Sequence, residues 1–298
     1  MSVGLPPDLL PLFRELGDLK RIRSADRAGS IAERLFVDAW AALGAGVATE
    51  EVMARTVSAA LAAARLGDLD LAKLHAFGLG DEAVVVLERG FDAVTGDVDP
   101  DLRTRLRAAL PRGGPAPGSV PDFVGKLARQ PRAGVTCPSR ARVVLQPPEN
   151  HAEHCLMVAV YAVIASPGQG ADPAECFLAA MAHHLHNADM PDSGYTGEML
   201  LGDALGGVIE RAREAALIAL PEALAAAVRQ ALAPIAGDAT AAARAFHIGD
   251  VLDRVLEIEQ HLRVGQITMR AVLDEYGLVH DGPVKSLHDE ILAEAGLA

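Results

Sequence analysis

Met181-Ala182-His183-His184-Leu185-His186-Asn187-Ala188-Asp189 sets three histidines, an amide and an acid within seven residues, directly after the apolar run Phe177 to Ala182. A helix carried through this stretch puts His183, His186 and Asn187 on one face, with His184 about 100° around the axis. So many imidazoles at the end of an apolar helix fit a metal ion held at the helix edge. They also fit a histidine-rich, solvated helix end, and the stretch alone leaves both readings open.

Apolar positions at helical spacing recur on both sides of this segment. The pattern predicts helices over Pro6–Leu16, from an N-cap at Ser30 to Leu43, from a cap at Thr49 to Leu66, over Asp81–Val94 and over Pro100–Leu110. Beyond these it predicts a short helix at Asp122–Arg129, then helices near 150–165, 172–187, 203–218, 221–233, 238–263 and 283–296, with Asp172, Asp203 and Asp238 as caps. Only Ala141–Leu145 reads as extended. The expected fold class is all-α.

Half of the 298 residues are apolar, aromatics are few, and the formal charge is −13. Alanine-rich helices pack closely, and an acidic surface disfavours broad contact with nucleic acid or a membrane. No apolar run approaches the roughly 20 residues that span a bilayer. Cys137, Cys155 and Cys176 have no C-x-x-C spacing, which argues against a thiolate zinc site or a disulfide framework. The N-terminus lacks the pattern of a signal peptide, so the expected location is the cytoplasm.

The two halves resemble each other. Leu79–Leu110 aligns with Leu201–Leu232 without a gap, with eleven identities in 32 positions, where chance would give roughly three or four. Upstream, at a spacing of 120, Ala32-Glu33-Arg34 faces Ala152-Glu153-His154, and Ala59–Ala64 faces Ala179–His184. Where the later half has His154, His183 and His184, the earlier has Arg34, Ala63 and Ala64. The expectation is a duplicated helical unit in which one copy has lost its polar site: domains 1–110 and 122–298, joined by the Pro- and Gly-rich linker 111–121 and packed as a pseudo-dimer.

Three pieces of the later half carry the polar residues: Pro148-Glu149-Asn150-His151-Ala152-Glu153-His154, His183-His184, and Phe246-His247-Ile248-Gly249-Asp250-Val251-Leu252-Asp253. Together they resemble the HD-domain superfamily of metal-dependent phosphohydrolases, in the branch that contains 5′-deoxynucleotidases. PPENHAEHCLMVAVYA is similar to the family's first ligand helix and sets the first histidine at His154. The HD pair falls on His183-His184, and the last aspartate on Asp250. Leu19-Lys20-Arg21-Ile22 is similar to an early segment of the family. The resemblance implies two tandem HD-like units, the first degenerate, with His154, His183, His184 and Asp250 as metal ligands.

Two positions depart from the family. His184 stands where it has aspartate, and Asn187 where it has the glutamate that handles water. Three imidazoles and one carboxylate leave a divalent site near +1 and favour Fe, Mn, Co, Ni or Zn over Mg. Asn187 can orient a water without taking its proton, so a base would come from Asp189, Asp192 or Glu198. His151, His186 and His247 are expected around the site rather than at the ion. The leading expectation is a hydrolase acting on a nucleotide or other small phosphate monoester. A mononuclear non-haem iron oxygenase and a non-catalytic regulator or scaffold stand as alternatives, and a homodimer is compatible with the sequence.

Overall fold

The structure is a computed structural model that describes residues 7–110 and 118–266, together with 268, 270, 285, 289, 292 and 293. It is all-α. Among the described residues the strands amount to one short hairpin, β1 (Arg23–Ser24) with β2 (Arg27–Ser30). The chain through Leu256 is one compact unit, and Glu257 onward is another. The described part of the second includes the pairs His261–Glu257 and Arg263–Glu259, each four residues apart on a helix. Of the helix expected at 283–296 only residues 285, 289, 292 and 293 are described, and these are helical; the rest lies outside the described residues, as does most of the 111–121 linker.

The first unit is organised around one helix, α8 (His151–Gln169), every residue of which from His151 to Ser166 is buried. A helix apolar on all sides can only sit inside. Around it pack α2 (Ile31–Gly44), α7 (Asp122–Arg129) and α9 (Pro173–Ala182). On the N-terminal side, α1 (Leu10–Leu16) is tied to α8 by Tyr161, whose hydroxyl donates to the Phe13 carbonyl at 2.7 Å. Trp40 of α2 lies between Phe36 and Phe123, with ring centroids 6.3 and 5.0 Å away.

The remaining helices follow in chain order. After α2 come α3 (Thr49–Leu66), α4 (Leu71–Ala76), α5 (Glu82–Asp92) and α6 (Pro100–Arg107). After α8 and α9 come α10 (Gly194–Leu201), α11 (Leu205–Leu217) and α12 (Glu222–Leu232). α2 packs on α8, and α3 on α9. Arg107 reaches back fifteen residues to Asp92, and Arg229 fifteen residues to Glu214.

The caps of α2 and α8 face each other. Ser30 accepts from the Glu33 amide, and Asn150 forms a reciprocal capping box with Glu153. Across the interface the Asn150 side chain donates to Glu33 at 2.9 Å, while the Ser30 hydroxyl faces the Glu153 carboxylate. Asn150→Ala therefore removes a cap and a link between helices. A loss of about 1–2 kcal/mol is expected, read from the urea unfolding midpoint. An unchanged midpoint would mean that backbone packing alone fixes both helix starts.

Several local expectations are corrected. Thr49 is the first residue of α3 and Ala48 its N-cap, without a side-chain bond. Asp203 lies in a 3-10 turn, Gly202–Ala204. Ahead of α13 (Ala241–Val264) it is Thr240, rather than Asp238, whose side chain accepts from the Ala243 amide. Ala141–Leu145 contributes a single antiparallel bridge, Val143 to Val135. The helix expected over 172–187 stops at Ala182. Leu185–Ala188 is a 3-10 turn, so His183, His186 and Asn187 do not share an α-helical face.

Candidate metal centre

That break in the helix builds the site. His183 follows the last turn of α9 and His184 starts the tighter turn, so the two rings point the same way with centroids 4.2 Å apart. His154 comes from the first turn of α8, with its ring centroid 5.1 Å from each of them. A third element, α13, reaches α8 through Gly249. A Cβ there would lie 2.6 Å from the Val158 carbonyl oxygen and 3.0 Å from the Ala162 nitrogen. This close approach brings Asp250 Oδ1 to 3.4 Å from His154 Nε2.

Each histidine is held by its other ring nitrogen. His154 Nδ1 meets Asp253 Oδ2 at 2.7 Å. His183 Nδ1 meets the Ala180 carbonyl at 2.6 Å, and His184 Nδ1 meets Asn187 Oδ1 at 2.7 Å. Each partner is an acceptor, so each Nδ1 carries the hydrogen, which leaves Nε2 with its lone pair wherever the ring is neutral. His154 Nε2 and His183 Nε2 are 3.2 Å apart. Two bare lone pairs at that distance repel, so the arrangement calls for a positive charge beside them: a proton on His154, or a cation. Two nitrogens about 2.1 Å from a shared ion would be separated by about 3 Å, as these are.

His154, His183 and His184 are thus brought together as a group able to hold a divalent ion. Glu149, His154 and Asp253 are also close enough to share one. There, however, the Lys20 ammonium already sits 2.8 Å from Glu149 Oε1 and 2.8 Å from Asp253 Oδ1. The histidine group, which no ammonium fills, is the metal candidate.

The remaining expected residues lie around this group. Asn187 is buried, with its oxygen engaged by His184 and its nitrogen donating to the Met190 carbonyl. Asp189 pairs with Lys126 at 2.7 Å at the surface. Glu198 lies on α10, and no hydrogen bond joins it to the histidines among the described residues. Asp192 fixes its own loop, accepting from the Ala133 and Gly194 amides at 2.9 Å each. His151 is fully buried, and neither of its ring nitrogens has a hydrogen-bond partner; its ring is 4.7 Å from that of His184. His186 is buried nearby, with its ring 5.5 Å from that of His184, while half-buried His247 bonds the Gly237 carbonyl.

Three residues at the site lie in stretches quoted from the sequence but were given no role there: Asp253 and Glu149, which flank His154, and Lys20, which bonds both carboxylates. Asp253 had a signal, since it lies three residues after Asp250 on the same helix. Lys20 had only its place between Leu19 and Ile22, and nothing local marks a lysine for burial.

Burial sets the titration of the cluster. It pushes His183 down to about 3, helped by the charge on His154, and His151 down to about 2, helped by Arg132. Burial, with Arg213 nearby, pushes His186 down to about 4. For His154 burial also acts downward, but its bonds to Asp250 and Asp253 outweigh it and the net shift is upward. Burial works against ionised Asp253 as well, yet Lys20 and His154 hold it well below the usual carboxylate range.

The sign of the pH dependence follows. His151, His183 and His186 titrate near 6.5 when unfolded and lower when folded, so below 6.5 the unfolded chain binds the extra protons. Their stabilising contribution is complete above pH 6.5. It is lost at about 1.4 kcal/mol per pH unit for each histidine as the pH falls toward 4; His154, whose folded pKa is raised, is protonated in both states below 6.5 and leaves this slope unchanged. The urea midpoint of the metal-free protein should fall between pH 7 and 4.5. A flat or rising midpoint would mean that these rings are not buried neutral.

No family model matches this chain, and no curated protein or solved structure is significantly similar to it. No helix among the described residues is long and apolar enough to cross a membrane. What the chain does must therefore be argued from the site itself.

Proposed function

We propose that this chain is a metal-dependent phosphohydrolase of HD type, acting on a nucleotide or other small phosphate monoester. The observation that carries the reading is the convergence of three Nε2 lone pairs, each histidine fixed from behind, beside the Asp250 carboxylate. His154, His183, His184 and Asp250 would hold one divalent ion. This nitrogen-rich set suits Fe, Mn, Co, Ni or Zn. Such an ion lowers the pKa of water and polarises a phosphoryl oxygen.

The chain's own residues do the rest. Asp253, the Ala180 carbonyl and Asn187 fix the three imidazoles, of which His154 is buried and His183 and His184 are partly exposed. Asn187 acts through His184, with both of its polar atoms already engaged. Asp189 and Glu198, which follow the histidine turn, are the carboxylates assigned to take the proton of the attacking water. For Asp189 this requires leaving Lys126.

The tandem architecture belongs to the same reading. We infer two HD-like units, 1–110 and 122–298, packed about an approximate twofold. In support, the helix order repeats, and the Arg107–Asp92 and Arg229–Glu214 pairs recur at matching positions. The Ser30/Glu33 and Asn150/Glu153 caps exchange contacts as an isologous pair would. At the position matching His154, Arg34 bonds Asp68 and the Gly29 carbonyl, so an ion pair stands where the first copy would have held a metal.

The test is phosphate release from a panel of nucleoside monophosphates with each of the five metals. Activity with at least one metal is expected, lowered by 10²-fold or more in Asp250→Ala. The nitrogen-rich donor set also suits Fe(II), which favours a mononuclear iron oxygenase as the second reading. Oxygen consumption without phosphate release would select it. Neither activity in a metal-loaded protein would select a regulatory or scaffold role.

A further inference from the structure

Lys20 is 4 % exposed, and its ammonium bridges two buried carboxylates contributed by residues 129 and 233 positions further along the chain. Burying an ammonium costs several kcal/mol before its partners repay it, and an apolar trio of similar volume is often as stable. Stability alone is thus a weak reason for this arrangement. Its connection to the histidine cluster is more specific. Asp253 spends Oδ1 on Lys20 and Oδ2 on His154 Nδ1, at 2.8 and 2.7 Å. Glu149 Oε1 holds the ammonium from the other side.

We propose that Lys20 is a positioning residue of the metal centre, orienting the Asp253 carboxylate so that His154 presents Nε2 to the ion. The inference rests on the metal-binding reading above and extends it. A carboxylate held at one oxygen cannot rotate away from the imidazole held at the other. The imidazole is then fixed in both tautomer and direction, the two properties a metal site needs from such a partner. Lys20 comes from the turn after α1, so the earlier half of the chain helps set the metal affinity of the later half. On the tandem reading above, Arg34 paired with Asp68 stands at the position matching His154, and Lys20 gives the earlier half a task at the metal centre.

The experiment measures Co(II) affinity of the full chain by competition with a chromophoric chelator, together with the visible Co(II) spectrum. Lys20→Met alone leaves two buried carboxylates without a counter-ion and risks misfolding. The informative pair is therefore Glu149→Gln and the double variant Lys20→Met/Glu149→Gln, which keeps the net charge of the wild-type trio. Glu149→Gln, which retains the Lys20–Asp253 contact, is expected to bind within about threefold of wild type. The double variant is expected to bind about 10–100-fold more weakly, with altered Co(II) bands. Equal affinity and spectrum in the two variants would overturn the proposal and reduce Lys20 to a core ion partner. Failure of the wild type itself to bind Co(II) would overturn the metal reading, and the inference with it.

Discussion

Wild-type protein equilibrated with Co(II) and desalted is expected to retain about one ion per chain, and His183→Ala to retain none at micromolar free metal. His183 presents its Nε2 3.2 Å from that of His154, the shortest separation between ring nitrogens of the cluster that the structure gives. Removing it leaves two imidazoles and Asp250. Loss of one partner behind a ligand costs about 10–100-fold in affinity, so loss of a ligand should cost more. Free Co(II) at 100 times its dissociation constant should stabilise the wild type by about 2.7 kcal/mol, raise its melting temperature, and leave His183→Ala unmoved. Mg(II) should do neither, because it prefers oxygen donors. A wild type that takes up no Fe, Mn, Co, Ni or Zn would refute the metal centre outright. The close approach of His154 and His183 would then reflect a proton on His154.

Gly249→Ala should destabilise the chain by about 2–3 kcal/mol, although the same change in an open helix position usually stabilises. The contrast can be tested within this protein. Gly206 in α11 has nothing within 4 Å of the place a Cβ would take, so Gly206→Ala is expected to gain about 0.5–1 kcal/mol. At Gly249 the added carbon would lie 2.6 Å from the Val158 carbonyl oxygen, which belongs to the backbone of the central helix and cannot step aside. α13 would have to move off α8, carrying Asp250 and Asp253 with it. Gly249→Ala should therefore also bind Co(II) more weakly than wild type, while Gly206→Ala should match it. Urea midpoints and chelator competition on both variants provide the check. A stabilised Gly249→Ala would mean that α13 does not approach α8 as closely as described.

Helical periodicity is a local property, and most helices were legible from it. The spacing of apolar residues located α2, α3, α5, α8, α12 and most of α13, and Ser30 and Asp172 announced their helix starts. α4 went unread, because six residues opened by Asp70 are too short for a period to stand out. Gathering His154, His183, His184 and Asp250 into one candidate set from the sequence needed the resemblance to a family as well as the residues.

Tertiary structure alone decided how those residues meet. The sequence carried α9 on to residue 187, whereas the chain tightens into a 3-10 turn after Ala182, so that adjacent His183 and His184 face one point rather than two sides of a helix. The tautomer of each histidine depends on a partner that spacing cannot name: a carbonyl three residues back, an amide three residues on, or a carboxylate 99 residues away. Lys20 is the extreme case. Its burial is tolerable only because two carboxylates from distant helices arrive beside it, and a charge that only the folded chain compensates leaves no periodic trace in the sequence.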